Sequence, residues 1–116
     1  MTARLASGVV VASLMRRVQG AGGNAAVLAH GDETAGAILL VIAERGEAVR
    51  LLNRRLDPAG AYVWDDTALP HAGGDSDRSP IDELVDRARR RDPDLWVLEL
   101  DIADAQRFAD ELIADG

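Results

Sequence analysis

The spacing of hydrophobic positions changes several times along the chain, and each change marks an element. Val11, Leu14, Met15 and Val18 recur at helical spacing, with Arg16 and Arg17 on the opposite side. This predicts an opening helix with Ser7 as its N-cap and Gly20, Gly22 and Gly23 as its exit. The β-branched run Val9-Val10-Val11 also suits a strand start, and helix is the favoured reading. Four short apolar runs follow: Ala25 to Ala29, Ala37 to Ala43, Ala48 to Asn53 and Ala61 to Trp64. Polar turns separate them at Gly31-Asp32-Glu33-Thr34, Glu44-Arg45-Gly46-Glu47 and Asp57-Pro58-Ala59-Gly60, so they read as strands. With links this short, consecutive strands are expected to pair antiparallel as a meander.

The segment from Asp65 to Ser79 carries Asp65, Asp66, Pro70, His71, Gly73, Gly74, Asp75, Ser76 and Asp77, and reads as a long loop. Ser79-Pro80 then opens a helix with Ser as N-cap, Pro at the first position and Asp82-Glu83 in the first turn. Its apolar stripe is Ile81, Leu84, Val85 and Ala88; Arg89-Arg90-Arg91 occupy the last turn, and Asp92-Pro93 stops it. Glu83 with Arg87 and Asp86 with Arg90 are spaced as ion pairs on its outer face. Leu95 to Leu100 reads as a fifth strand, with Trp96, Leu98 and Leu100 toward the core. A terminal helix follows, capped by Asp101 or Asp104, with Ile102, Ala105, Ala109 and Leu112 in one stripe and Phe108 beside it. The predicted fold class is α+β: a mostly antiparallel sheet of about five strands with three helices on one face, in the order α-β-β-β-β-α-β-α.

At 116 residues the chain is expected to form a single globular domain, residues 1–116. It contains no cysteine, which excludes a disulfide scaffold, thiolate metal sites and a cysteine nucleophile. All 13 basic residues are Arg, so Schiff-base chemistry and a phosphate-loop lysine are excluded as well. The net charge of −7 is unevenly spread: residues 1–64 hold seven Arg against five acids, residues 65–116 six Arg against fifteen. An acidic second half argues against a general nucleic-acid role, because phosphate binding needs a basic face. The apolar run Val9 to Met15 is too short to span a bilayer and is followed at once by Arg16-Arg17, unlike a secretory signal. A cytoplasmic protein without membrane association is therefore expected.

Several segments could carry chemistry. Gly20-Ala21-Gly22-Gly23-Asn24-Ala25 fits the glycine spacing of a dinucleotide loop, but that mechanism needs a strand before it and a helix after it, and the predicted order is the reverse. The loop His30-Gly31-Asp32-Glu33-Thr34-Ala35-Gly36 offers two carboxylates and a glycine-bracketed backbone, against the plainer reading of a connecting loop. It is the first candidate ligand-binding site: Gly31, Asp32, Glu33 and Gly36, with Arg16 and Arg17 as neighbouring cations. The acids of the long loop have neither the glycine nor the glutamate of a calcium loop, and His30 and His71 lie on separate segments, so no metal site and no cofactor is expected. Arginines cluster at Arg16/Arg17, Arg50/Arg54/Arg55 and Arg87/Arg89/Arg90/Arg91, but the third cluster is largely neutralised by Glu83, Asp86, Asp92 and Asp94. The only aromatics, Tyr62, Trp64, Trp96 and Phe108, fall on core patterns rather than on a stacking face. None of the serines Ser7, Ser13, Ser76 and Ser79 sits in a Gly-x-Ser-x-Gly elbow, and no catalytic residue is assigned.

The layout also resembles a known family. Arg16-Arg17 on the first helix leads through Gly22-Gly23 to a strand, and Gly31-Asp32 precedes Ala35-Gly36-Ala37-Ile38-Leu39-Leu40-Val41. Trp64 closes the strand series, and Asp92-Pro93-Asp94-Leu95-Trp96-Val97-Leu98-Glu99 lies near the end. Together these resemble the small, mainly alphaproteobacterial proteins of the domain of unknown function family DUF1491. The chain departs from that pattern at Asp101-Ile102-Ala103-Asp104. The resemblance implies the fold and a bacterial cytoplasmic setting, and no activity. The residues favour a non-enzymatic protein-interaction or regulatory module. The alternative is a small-molecule or nucleotide-phosphate binder, an enzyme among its forms, that uses the Gly31–Gly36 loop and nearby arginines. Strands Ala25 to Ala29 and Ala37 to Ala43 carry no charge, so an exposed sheet edge, or the apolar side of the first helix, is expected to support a homodimer or another protein partner.

Overall fold

Three helices and five strands form in the predicted order. They are α1 (Ser7–Gly20), β1 (Asn24–Ala29), β2 (Ile38–Glu44), β3 (Glu47–Leu56), β4 (Tyr62–Thr67), α2 (Pro80–Arg91), β5 (Trp96–Asp101) and α3 (Ala105–Asp115). The structure is a computed structural model that describes residues 6–67 and 80–115. Ser79, His71 and the acids Asp75 and Asp77 of the predicted long loop lie outside the described residues.

The sheet order is β1-β5-β2-β3-β4. β2, β3 and β4 form the expected antiparallel meander, but β1 does not join it. β5 inserts between β1 and β2, antiparallel to the first and parallel to the second, so the sheet is mixed. The physical reason is burial. Every residue from Ile38 to Ala43 is buried, as are Leu95 to Leu98 and Leu100, because both faces of these strands are covered. Strands apolar on both sides belong at the centre of a sheet, and β2 and β5 present large apolar side chains to both faces.

Helices accordingly cover both faces, where a single covered face was expected. On one side α1 and α3 bury Val10, Val11, Leu14, Val18, Phe108 and Ala109 against Ile38, Leu40, Leu52, Trp96, Leu98 and Leu100. On the other side the stripe Ile81, Leu84, Val85 and Ala88 of α2 packs on Leu39, Val41, Leu51, Leu95 and Val97. The alternation along β5 thus divides two cores, with Trp96, Leu98 and Leu100 in the larger.

Helix α1 exits as its glycines suggest. The Gly22 amide donates to the Gln19 carbonyl (3.1 Å) and the Gly23 amide to the Val18 carbonyl (2.9 Å), with Gly22 at φ +90°. This is the Schellman closure, whose left-handed position favours glycine. Its entry differs from expectation. Ser7 is the first helical residue and makes no side-chain cap; its buried hydroxyl donates instead to the Gly36 carbonyl at 2.6 Å. Asp101 caps no helix either. Its carboxylate accepts from the amides of Arg45 (3.2 Å) and Gly46 (2.7 Å), the two-residue turn between β2 and β3. Both turn residues have positive φ, 54° and 81°, as a tight hairpin requires. β4 runs on to Thr67, so Asp65 and Asp66 are strand residues rather than loop residues.

Candidate functional site

The segment between β1 and β2 was the leading candidate, and the structure shows how its polar groups are spent. Asp32 folds over its own loop, its Oδ2 accepting from the amides of Thr34 (3.1 Å) and Ala35 (2.8 Å). Its backbone amide donates to the Asp94 carbonyl (3.0 Å), and its carbonyl accepts from the Trp96 indole Nε1 (2.7 Å). The amides of Ser7 and Gly8, at the start of α1, donate to the carbonyls of Thr34 (3.2 Å) and Glu33 (2.8 Å). The donors of a helix N-terminus that would meet an anion are therefore turned onto the loop itself.

The two glycines are explained by close approach. A Cβ on Gly31 would stand 2.3 Å from the Asp94 carbonyl oxygen and 2.6 Å from the Trp96 ring; one on Gly36 would stand 2.3 Å from the same oxygen. Only a residue without a side chain lets this loop cross the entry to β5. His30 completes the contact, its ring 4.2 Å from that of Trp96 and its Nε2 3.1 Å from Glu33 Oε1. Arg16 and Glu33 line one open groove of about 420 Å³ beside Gly8 and Val9. Arg17 is not among the residues lining it. Of the six predicted site residues, Gly31, Asp32, Glu33 and Gly36 thus share a loop, and Arg16 lines the groove beside it.

The arginine clusters do not merge into one face. Arg50 bonds Asp66 of β4 through Nε (2.8 Å) and also reaches the Gln106 side chain of α3. Arg54 lies 4.2 Å over the Tyr62 ring, and burial lowers its pKa. Arg55 pairs with Asp65, whose hydrogen bond raises the guanidinium above its ordinary value. Asp65 and Asp66 are thus cross-strand partners of arginines. Among the described residues no group of three or more acids or histidines is placed to hold a metal ion. Among them, too, no helix is long and apolar enough to cross a membrane.

A second place lies at the outer edge of β1: of the two uncharged strands expected as candidate edges, Ala25 to Ala29 is one, whereas Ala37 to Ala43 lies inside the sheet between β5 and β3. Among the described residues β1 has no partner beyond β5; it carries no charged residue and leaves Val27 (40%) and Leu28 (41%) exposed. The register slips between Val27 and Ala29, so Leu28 is the surplus residue of a bulge. The slip moves Ala29 onto the α2 side while Ala25 stays on the α1 side. At its end β1 meets a groove of about 670 Å³ lined also by His30, Val85, Arg89 and Arg90. Arg89 is anchored there by donating to the carbonyls of His30 (2.7 Å) and Leu95 (3.2 Å). The other sheet edge, β4, is defended by Asp65 and Asp66. The signal in the sequence was the run Asn24 to Ala29 without a charge; what it lacked was the neighbour, since α2 is more than fifty positions away.

The architecture defines a small α+β domain, a mixed five-stranded sheet between two helices on one face and one on the other. Comparison with known proteins assigns it more closely. Residues 5–110 match the family described as protein of unknown function, DUF1491, and the chain belongs to that family. The crystal structure of a DUF1491 family protein from Caulobacter crescentus is similar over 90% of this chain and 94% of that one, with 31% identity and a TM-score of 0.71. The NMR structure of a DUF1491 family protein from Caulobacter crescentus matches at 30% identity and TM-score 0.71, covering 92% of this chain and 94% of that one. A solution structure from Agrobacterium tumefaciens has 31% identity and a TM-score of 0.63, covering 88% of this chain and 89% of that one. No curated protein matches the chain.

Proposed function

We propose that this chain is a non-enzymatic protein-interaction module of the cytoplasm, and that it takes an extended segment of a partner onto the outer edge of β1. The observation that carries this reading is the uncharged, exposed edge with Val27 and Leu28 open to solvent. A row of unpaired backbone groups on such a strand pairs readily with another strand, and natural proteins block it with charge when pairing is unwanted. Here β4 is blocked and β1 is not. A regulatory role follows if partner binding competes with another contact of the same segment. The alternative, a phosphate-bearing small molecule held by the Gly31–Gly36 loop, draws less support, because the amides and carboxylate of that loop are engaged within the fold.

The test is site-specific photo-crosslinking in the organism of origin, with the reactive residue at Val27 and, as control, at Thr67 on the opposite edge. A discrete protein adduct from Val27 that is absent from Thr67 and lost in Leu28→Pro is expected. Equal adducts at both edges, or none at Val27, would refute the reading.

A further inference from the structure

The groove at the end of β1 specifies what kind of strand the edge accepts, an inference that rests on the strand-edge reading above. Its apolar side consists of Leu28 and Val85, and its polar side of Arg89 and Arg90, with Asp86 also on the lining. Arg87, Arg90 and Arg91 extend the cationic surface along α2 past Leu84. Acids elsewhere on α2 and at its end offset these arginines in sum, but the two linings themselves hold Arg87, Arg89, Arg90 and Arg91 against Asp86 alone. Arg89 is held in place by the His30 and Leu95 carbonyls, and Arg90 is exposed on the rim. A second copy of the chain would lay its own Asn24–Ala29 along the edge, a segment with no carboxylate to offer these arginines. Charge complementarity requires a different sequence.

We propose that the β1–α2 groove binds an extended acidic peptide segment of a partner protein. Its backbone adds to β1 as a sixth strand. Alternate side chains then project to the α2 side, where an apolar one covers Leu28 and Val85 and a carboxylate reaches Arg90. The Leu28 bulge sets Ala29 on the α2 side, where the groove with Arg89 and Arg90 begins.

The experiment uses the full chain and a fluorescent synthetic peptide repeating valine-threonine-glutamate-threonine, which sets valine and glutamate in turn on one face of the strand, with a matched peptide carrying lysine for glutamate as control. Fluorescence anisotropy should show saturable binding of the glutamate peptide and none of the lysine peptide. Arg90→Glu, on the exposed rim, should weaken binding about tenfold, and raising salt from about 0.05 M to about 0.5 M should weaken it severalfold. Leu28→Lys should abolish it, and thermal melts of both variants establish that the fold is kept. Amide NMR shifts on titration should be confined to β1, His30 and α2. Equal binding of both peptides, an unaffected Arg90→Glu, or shifts located elsewhere would overturn the acidic occupant. A doubled mass in light scattering with protection of the β1 amides would overturn it in favour of a second copy. If Val27 crosslinks to a discrete protein while the glutamate peptide does not bind, the acidic occupant fails and the strand-edge reading stands; if neither occurs, both fail.

Discussion

Replacing Trp96 tests the junction on which the loop, α1 and β5 converge. The side chain is 3% exposed within the larger core, its Nε1 donates to the Asp32 carbonyl at 2.7 Å, and the His30 ring covers it at 4.2 Å. Trp96→Ala removes the bulk and the donor together and should cost about 3–5 kcal/mol, as large core truncations do. Trp96→Phe keeps most of the buried ring and deletes the N–H. The Asp32 carbonyl still accepts from the Gly36 amide at 3.3 Å, so the acceptor is not orphaned. The Phe variant should therefore lose only about 1–2 kcal/mol. For a domain of this size each kcal/mol moves the melting temperature by roughly 4 °C, which separates the two variants clearly. Urea denaturation followed by far-UV circular dichroism is the assay, because the substitution removes a fluorophore. An unchanged denaturant slope should accompany both losses. A loss below about 1 kcal/mol for Trp96→Ala would refute the core assignment, given how large cavities behave. Equal losses for Ala and Phe would show that the hydrogen bond, not the packing, dominates.

Other substitutions probe separate contacts. Gly31→Ala and Gly36→Ala should each destabilise by about 1–3 kcal/mol because the new methyl meets the Asp94 carbonyl, whereas Gly20→Ala, with open space around it, should stabilise by about 0.5 kcal/mol in the same melts. Arg45→Asn should stabilise by about 0.5–1 kcal/mol, since asparagine tolerates the positive φ of this turn better, and Asp101→Ala should cost about 1–2 kcal/mol through the two turn amides it leaves without their acceptor. Electrophoretic mobility shifts with duplex DNA and single-stranded RNA should show only weak binding that disappears near physiological salt; submicromolar affinity there would show that the arginines act together after all. Elemental analysis of protein purified without added metal should find no stoichiometric zinc or calcium, and a thermal shift on chelation would contradict that.

What could be read in the sequence was local. Helix α1 followed from Val11, Leu14 and Val18 and from the glycines behind them, α2 from Pro80, its Ile81–Ala88 stripe and the stop at Asp92-Pro93, because spacing, caps and proline act over one or two turns. The strands were recognisable as apolar runs, and the burial of Trp96 followed from its place in one of them. The neighbours of each strand were not recognisable, because pairing β1 with β5 joins residues 68 to 77 positions apart, and no local pattern carries that register. A cue did exist: Ile38–Ala43 and Leu95–Leu98 do not alternate, which only a sheet covered on both faces can satisfy. The polar residues followed the same division. Ser7, Asp101 and Asp65 were assigned to caps and loops by their type, but Ser7 and Asp101 find Gly36 and the Arg45-Gly46 turn on distant segments, and Asp65 finds Arg55 across the β3–β4 hairpin. The candidate site moved for that reason. The groups of the Gly31–Gly36 loop are consumed by α1 and β5, while the open surface arises where α2 brings Arg89 and Arg90 beside an uncharged strand. Side-chain chemistry is written in the sequence; which groups are left over to meet a partner is decided only when distant segments have satisfied one another.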